Sequence, residues 1–350
     1  MIRDLVTAFL RTKEYFFNIS TLCSFVLLFP CTYKIGETII SVRSADQDEN
    51  SELPVIPVPG LPIAAEAYFS PDGKSLICNA KVLPDDSVHH VYTANIDGTE
   101  VRRINDEGED ACSYYFPSGN RLIWTSTKDH PELPVGDWSI ATIYPQGAEL
   151  YSSDLDGSNV VRLTNNEYYD AEVSLSPDGQ WILFTRQIDG KLNLWRMRPD
   201  GTDEFQITHT DDWQEGGSFY MPDSETILYR GWKREYDDVR GKPMTIFTIK
   251  HDGTEQKQIT HDDGTNWAPH PGPDGKRFVF VKVLPPHNFE IFLMNIETGK
   301  QLRLTYSDAF DGFPVISPDG KKVMFSSSRG AAPGERKLSL YLMDISSLVE

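Results

Sequence analysis

Two columns of charged side chains recur along this chain and are the residues best placed to do chemistry. Asp110, Asp170, Glu215, Asn266 and Asp311 each stand six residues before a repeated turn motif, with Ala64 in the same slot of the first copy. Glu66 and Glu172 lie two positions further on, and strand alternation turns them the same way. A basic column, Lys81, Lys128, Arg186, Arg230, Lys282 and Arg329, comes after each turn. Gathered carboxylates attract a cation or raise one another's pKa, unless nearby bases neutralise them. A hairpin places these acids opposite these bases, so cross-strand ion pairs are the plain alternative. His130, His270 and His287 fall toward the same end of the repeats. With Asp110, Asp170, Glu215 and Asp311 they would make a divalent-metal site, although no HxH or HExxH spacing backs it. No GxSxG elbow, phosphate loop or Rossmann glycine pattern occurs, so no catalytic residue is assigned and no cofactor is expected beyond that cation.

The elements that must hold these columns are set by an internal repeat. SPDG stands at Ser70–Gly73, Ser176–Gly179 and Ser317–Gly320, with weaker copies at Phe116–Gly119, Met221–Ser224 and Gly272–Gly275. A second turn, such as Asp97-Gly98-Thr99, Asp156-Gly157-Ser158 or Asp252-Gly253-Thr254, comes after most copies. Both are tight hairpin turns. The segments between them are rich in β-formers, as in Trp181–Phe184 and Ile291–Met294. A last short strand ends in a common form, such as Arg162-Leu163-Thr164 or Gln258-Ile259-Thr260. Four strands per repeat, six times, is the signature of propeller blades. Aromatic columns on the second strand (Trp124, Phe184, Tyr229, Phe280, Phe325) and the third (Tyr92, Tyr151, Trp195, Phe247, Phe292, Tyr341) are expected to pack blade on blade.

The pattern resembles the TolB-type propeller repeat over about Leu53–Leu348. That resemblance implies an all-β fold, a six-bladed β-propeller with four-stranded blades. It departs from TolB in lacking room for TolB's separate N-terminal α/β domain, and from prolyl-oligopeptidase-like enzymes in having no hydrolase domain. The sixth repeat ends without its own fourth strand, which would leave an open edge. The segment LPVIPV at Leu53–Val58 is expected to supply it and close the ring.

Strand direction puts the start of each inner strand on the same face as the loops joining strands two and three. Those loops carry the insertions: 128–147 in blade 2, 232–243 in blade 4, 284–288 in blade 5 and 329–337 in blade 6. Elaborated loops around a concave mouth mark a binding face. Glu66, Asp110, Asp170, Glu172, Glu215, Asn266, Trp267, Asp311, Lys128, Arg186, Arg230, Lys282 and Arg329 are therefore the candidate binding residues. Trp138, Trp213 and Trp232 join Trp267 near that face, to stack on a ligand or pack beneath loops. Asp110, Asp170, Glu215 and Asp311 should sit near Lys128, Arg186, Arg230 and Arg329 respectively.

Composition bounds the partner. The 350 residues carry 33 Lys+Arg against 52 Asp+Glu, a formal charge of −19 that repels a phosphate backbone and excludes nucleic acid. Four cysteines are too few for a disulfide scaffold. Tyr15 to Tyr33 form an uncharged, mostly apolar run behind Arg3, Arg11 and Lys13, which reads as an export signal or an uncleaved membrane anchor. The expected organisation is a signal-like segment at 1–43, a linker at 44–52 and the propeller at 53–350. The function expected is a periplasmic or secreted monomer that binds a protein, peptide or glycan at its channel mouth and touches a membrane only through its N-terminus. The rival is a metal-dependent carbohydrate lyase or hydrolase, resembling in outline the oligogalacturonate lyases.

Overall fold

The computed structural model describes residues 52–332, 334–335 and 337–349, together with two strands, Thr32–Ile35 and Thr38–Ser41. The chain divides into two compact units, Met1–Ser51 and Glu52–Glu350. In the first, Thr32–Ile35 and Thr38–Ser41 pair as an antiparallel hairpin. The rest of the signal-like segment and all of the linker except Glu52 lie outside the described residues. Among the described residues no helix is long and apolar enough to cross a membrane.

The second unit is six antiparallel four-stranded sheets. The inner strands of blades 1 to 6 are Ile63–Phe69, Asp110–Tyr115, Tyr169–Leu175, Trp213–Tyr220, Asn266–Pro271 and Asp311–Ile316. In blades 1, 3 and 6 the SPDG sequence folds the first hairpin by satisfying its own backbone. Ser70 N donates to Ser75 O, Gly73 N donates to Ser70 O, and the Ser70 hydroxyl donates to Asp72 while accepting from Ser75 N. Gly73 adopts a φ of 69°, which only glycine takes at little cost. The fourth strand ends in threonine for a similar reason. The hydroxyls of Thr164, Thr208, Thr260 and Thr305 accept from the third-strand N–H of Leu150, Leu194, Ile246 and Ile291. That N–H sits where the short outer strand begins to pair, so the threonine serves as a local cap.

The ring closes as the repeat arithmetic expects. Val55–Pro57 pairs antiparallel with Ser339–Asp344 and becomes the outer strand of blade 6. The aromatic columns form cross-strand pairs and pack against the preceding blade: Trp124 and Tyr151 of blade 2 bury Ile77, Val91 and Ile104 of blade 1. Stacked pairs recur at Tyr229–Phe247 and Phe325–Tyr341, with centroids 5.5 and 5.9 Å apart. Large rings at these seams remove much apolar area from water and lock the blades together.

Candidate functional site

Every inner strand carries a β-bulge at the same place. Pairing with the second strand shifts between Ala65 and Tyr68, and likewise in all five other blades. The bulged residue takes a left-handed backbone: Glu66, Cys112, Glu172, Gly217, Ala268 and Phe313, with φ between 44 and 54°. A bulge adds a residue to one strand and re-aims the side chains beyond it. It separates two columns that simple alternation would keep together.

The six-before-turn column turns into the blades. Asp110, Asp170, Glu215, Asn266 and Asp311 are all buried, and Ala64 with them. Asp170 is gripped by Arg186, Nε to Oδ1 at 2.6 Å and Nη2 to Oδ2 at 2.8 Å, and Arg186 also holds Glu204. Asp311 is held in the same way by Arg329, which reaches on to Glu52. The expected pairs Asp110–Lys128 and Glu215–Arg230 do not form. Asp110 accepts from Val91 N and Asn105 Nδ2 of blade 1, and Glu215 accepts from Asn193 of blade 3. Asn266 donates to Met244 O of blade 4 and to Asp262. These three are staples to the preceding blade, so their bases are not needed. Lys128 lies over the Tyr151 ring near Glu107, and Lys282 binds Asp262. Burial pushes the carboxyls of Asp110 and Glu215 above the ordinary range.

The bulge column faces the axis. Glu66, Cys112 and Glu172 occupy consecutive blades and form a polar arc in the channel. Asn79 Nδ2 donates to Glu66 Oε2 at 2.8 Å, and the Cys112 thiol lies 3.6 Å from the same oxygen. Glu172 accepts from Gly217 N at 2.7 Å and from Arg230 Nη2 at 2.6 Å. Arg230 reaches the channel from a second strand because Gly216 lies beside it. A Cβ there would stand 2.8 Å from Arg230 Nη1 and 2.1 Å from Glu172 Oε2. Burial first, and the charge of Glu172 second, hold the Glu66 carboxyl above its usual value. Strand alternation did not anticipate this split between Glu66 and Asp110. The Gly216-Gly217 pair opposite an arginine was its one sequence signal.

Below this ring the channel is plugged. Two residues before each turn stand Tyr68, Tyr114, Ser174, Phe219, His270 and Val315. Tyr68 lies 5.0 Å from Tyr114, 5.7 Å from Phe219 and 6.2 Å from His270, centroid to centroid. Phe219 and His270 are 4.9 Å apart. Burial drops the His270 pKa to about 3, so the ring is neutral and serves as packing, its Nδ1 accepting from Ile316 N. Spacing alone did not single out these plug residues.

Above the ring, the mouth is asymmetric. The blade 2 loop folds inward so that Tyr144 stacks on Tyr169 at 4.4 Å and 11°, and Trp138 packs on Tyr169. Trp232 is buried beneath, donating to Asp237, and Trp213 packs edge-on against Phe247. Across the opening, Trp267 meets Phe313 at 4.7 Å and joins Phe289 and Phe310 in a half-exposed aromatic wall. His130 contacts Arg162 and Glu132 in the blade 2 loop, His287 packs on Phe289, and His270 belongs to the plug. The three histidines are therefore apart, and among the described residues no three His, Cys, Asp or Glu side chains converge on a metal position.

Blades, closure and a recessed axial channel define the class: a six-bladed β-propeller. No family model matches the chain. An uncharacterised protein of Agrobacterium fabrum is 28% identical over 250 residues, covering 62% of this chain and 84% of that protein. A TolB homologue of Chlorobium luteolum is 25% identical over 157 residues, 43% of this chain and 32% of its own, so the chain spans about a third of that relative. Among solved structures, a putative TolB of Agrobacterium tumefaciens superposes with a TM-score of 0.56 at 19% identity, covering 83% of this chain and 96% of that one. An oligogalacturonate lyase of Vibrio parahaemolyticus shares the fold with a TM-score of 0.56 at 13% identity, covering 86% and 96%. Within its class the chain is similar to the propellers of TolB homologues in sequence and in fold.

Proposed function

We propose that this TolB-like propeller is an exported binding module that seats a segment of a partner protein at its loop-bearing mouth. The observation carrying this reading is the contrast between the two ends of the channel. The turn end is sealed by Tyr68, Tyr114, Phe219 and His270, while the other end is a recess with a polar arc, an aromatic wall and all the inserted loops. A dead-end recess binds rather than conducts, and rim loops supply specificity on a rigid ring. Glu66, Glu172, Arg230 and Trp267 are its contact residues. Asp110, Asp170, Glu215, Asn266, Asp311, Lys128, Arg186, Lys282 and Arg329 hold the rim in shape. The signal-like run behind Arg3, Arg11 and Lys13 supports export to the periplasm. A partner surface that is basic or neutral suits a chain of charge −19.

The test is co-purification of the tagged full chain from its native envelope, read by mass spectrometry. Trp267→Ala should lose the captured partner while Asp178→Ala, on the turn face, keeps it. Equal capture by both variants would sink the reading. A carbohydrate lyase remains the second reading, favoured by the structural likeness to oligogalacturonate lyase. Metal analysis of the purified protein, with thermal melts before and after chelation, separates the two.

A further inference from the structure

The Glu66 carboxylate has no direct ion-pair partner: Arg230, the cation acting on it, is bonded to Glu172 instead. Among the described residues no Lys, Arg or His nitrogen comes within 4.0 Å of it, and Lys81, the base of its own blade, instead donates to Ser87 O. Its donors are the side-chain amide of Asn79 and the thiol and backbone N–H of Cys112, all uncharged. A carboxylate removed from water and left unpaired is costly, and the fold bears that cost in the channel wall. An independent observation shows what the position lacks. Asn79 is 6% exposed, and with its Nδ2 given to Glu66, its Oδ1 finds no donor among the described residues. A buried acceptor beside a half-buried carboxylate calls for a group with several N–H bonds and a positive charge. In the adjacent blade the same bulge position holds Phe313, packed edge-on with Trp267, and aromatic faces of this kind attract cations. The facing bulge positions, Gly217 and Ala268, are small and leave room across the ring. Arg230, 6% exposed, has Nε and Nη1 without acceptors, which a carbonyl next to the incoming cation would meet.

We propose that Glu66 and Asn79 form a socket for a primary ammonium carried on a peptide, with Phe313 and Trp267 as its aromatic wall and Arg230 as the anchor for a neighbouring carbonyl. The socket rests on the mouth-binding reading and names the chemistry recognised there. Two peptide groups supply that chemistry, a lysine side chain and a free chain N-terminus. A ligand-observed NMR titration of the full chain separates them with N-acetyl-lysine methylamide and alanine methylamide as probes. N-acetyl-norleucine methylamide is the uncharged control. Binding of the lysine probe assigns a side chain, and binding of the alanine probe assigns a chain end. Glu66→Gln should weaken the bound probe about tenfold or more, Asn79→Ala should weaken it less, and Glu297→Gln on the turn face should leave it unchanged. Thermal melts of each variant confirm folding, and Asn79→Ala carries the test if Glu66→Gln does not fold. Failure of both ammonium probes, equal binding of the norleucine compound, or affinity indifferent to Glu66 and Asn79 overturns the socket. If Trp267→Ala still abolishes partner capture in that event, the mouth reading stands and only the socket falls.

Discussion

Tyr68 of blade 1 and Phe219 of blade 4 belong to opposite sides of the ring, yet their rings lie 5.7 Å apart across the axis. The contact is possible because the bulge in each inner strand re-aims the side chains beyond it. It makes the channel a recess. Replacing Phe219 by alanine removes a half-buried ring that touches Tyr68, Tyr114 and His270. Because the ring is only partly buried, the expected loss is about 1–3 kcal/mol in denaturant unfolding, below the range for a fully buried Phe. An unchanged midpoint would mean the plug is not packed as described.

The two gripped carboxylates make a sharper contrast. Arg186→Ala would leave Asp170 buried without its two charged hydrogen bonds, costing about 3–5 kcal/mol. Lys128→Ala removes a lysine whose ionic partner, Glu107, is 72% exposed, and should cost less than about 1 kcal/mol. Calorimetric melts of the pair of variants check the order. Similar losses would show that the acidic column depends on its bases throughout.

Arg329 joins Asp311 to Glu52, which lies just before the closing strand. The three-residue strand is short for its task, and this ion pair is its anchor. Glu52→Gln should lower stability by about 1 kcal/mol, with the loss shrinking at high salt because the pair is partly exposed. A variant that melts like wild type at low ionic strength would dissociate the pair from closure.

Glu66 should leave a pH signature. Its folded pKa lies above its unfolded value, so its favourable contribution is present below the unfolded pKa and fades as pH rises through the folded one. Glu66→Gln should therefore melt higher than wild type at pH 8, with the gap closing toward pH 5. The opposite trend would show a carboxylate compensated within the fold. Asp86 carries the reverse sign. Burial alone would raise it, but hydrogen bonds from Tyr92, Val82, Leu83 and Arg103 outweigh that and take it to about 2. Asp86→Asn should cost stability above pH 4 and progressively less as pH falls toward 2.

The blades were legible in the sequence because their turns are chemical. Ser70-Pro71-Asp72-Gly73 specifies a hairpin through its own hydrogen bonds, and six copies in register imply a ring and its closing strand. The Asp170–Arg186 pair was also legible, since strand pairing sets the two opposite each other, whereas Arg329 reaches Asp311 from two residues past its register partner Ser327. Asp110 and Glu215 were not. Their partners, Val91 and Asn193, belong to the preceding blade, and packing between blades leaves no spacing rule in one chain. The inward turn of Glu66 was hidden for another reason: a bulge breaks the alternation on which facing arguments rest, and Glu66 is not a residue that announces a left-handed backbone. The Tyr68, Tyr114, Phe219 and His270 column was visible as letters, but its meeting at the axis depends on that same bulge.

The most direct measurement is site-specific photo-crosslinking of the full chain in its native cells, with a photoreactive phenylalanine placed in turn at Trp267, Ile143, Asp178 and Asp319. Residues 267 and 143 lie at the mouth and its blade 2 loop, and 178 and 319 in the turns beyond the plug. Adducts to one partner from the mouth positions alone are the predicted result. Adducts from the turn positions, or from all four equally, would contradict a binding face at the open end of the channel.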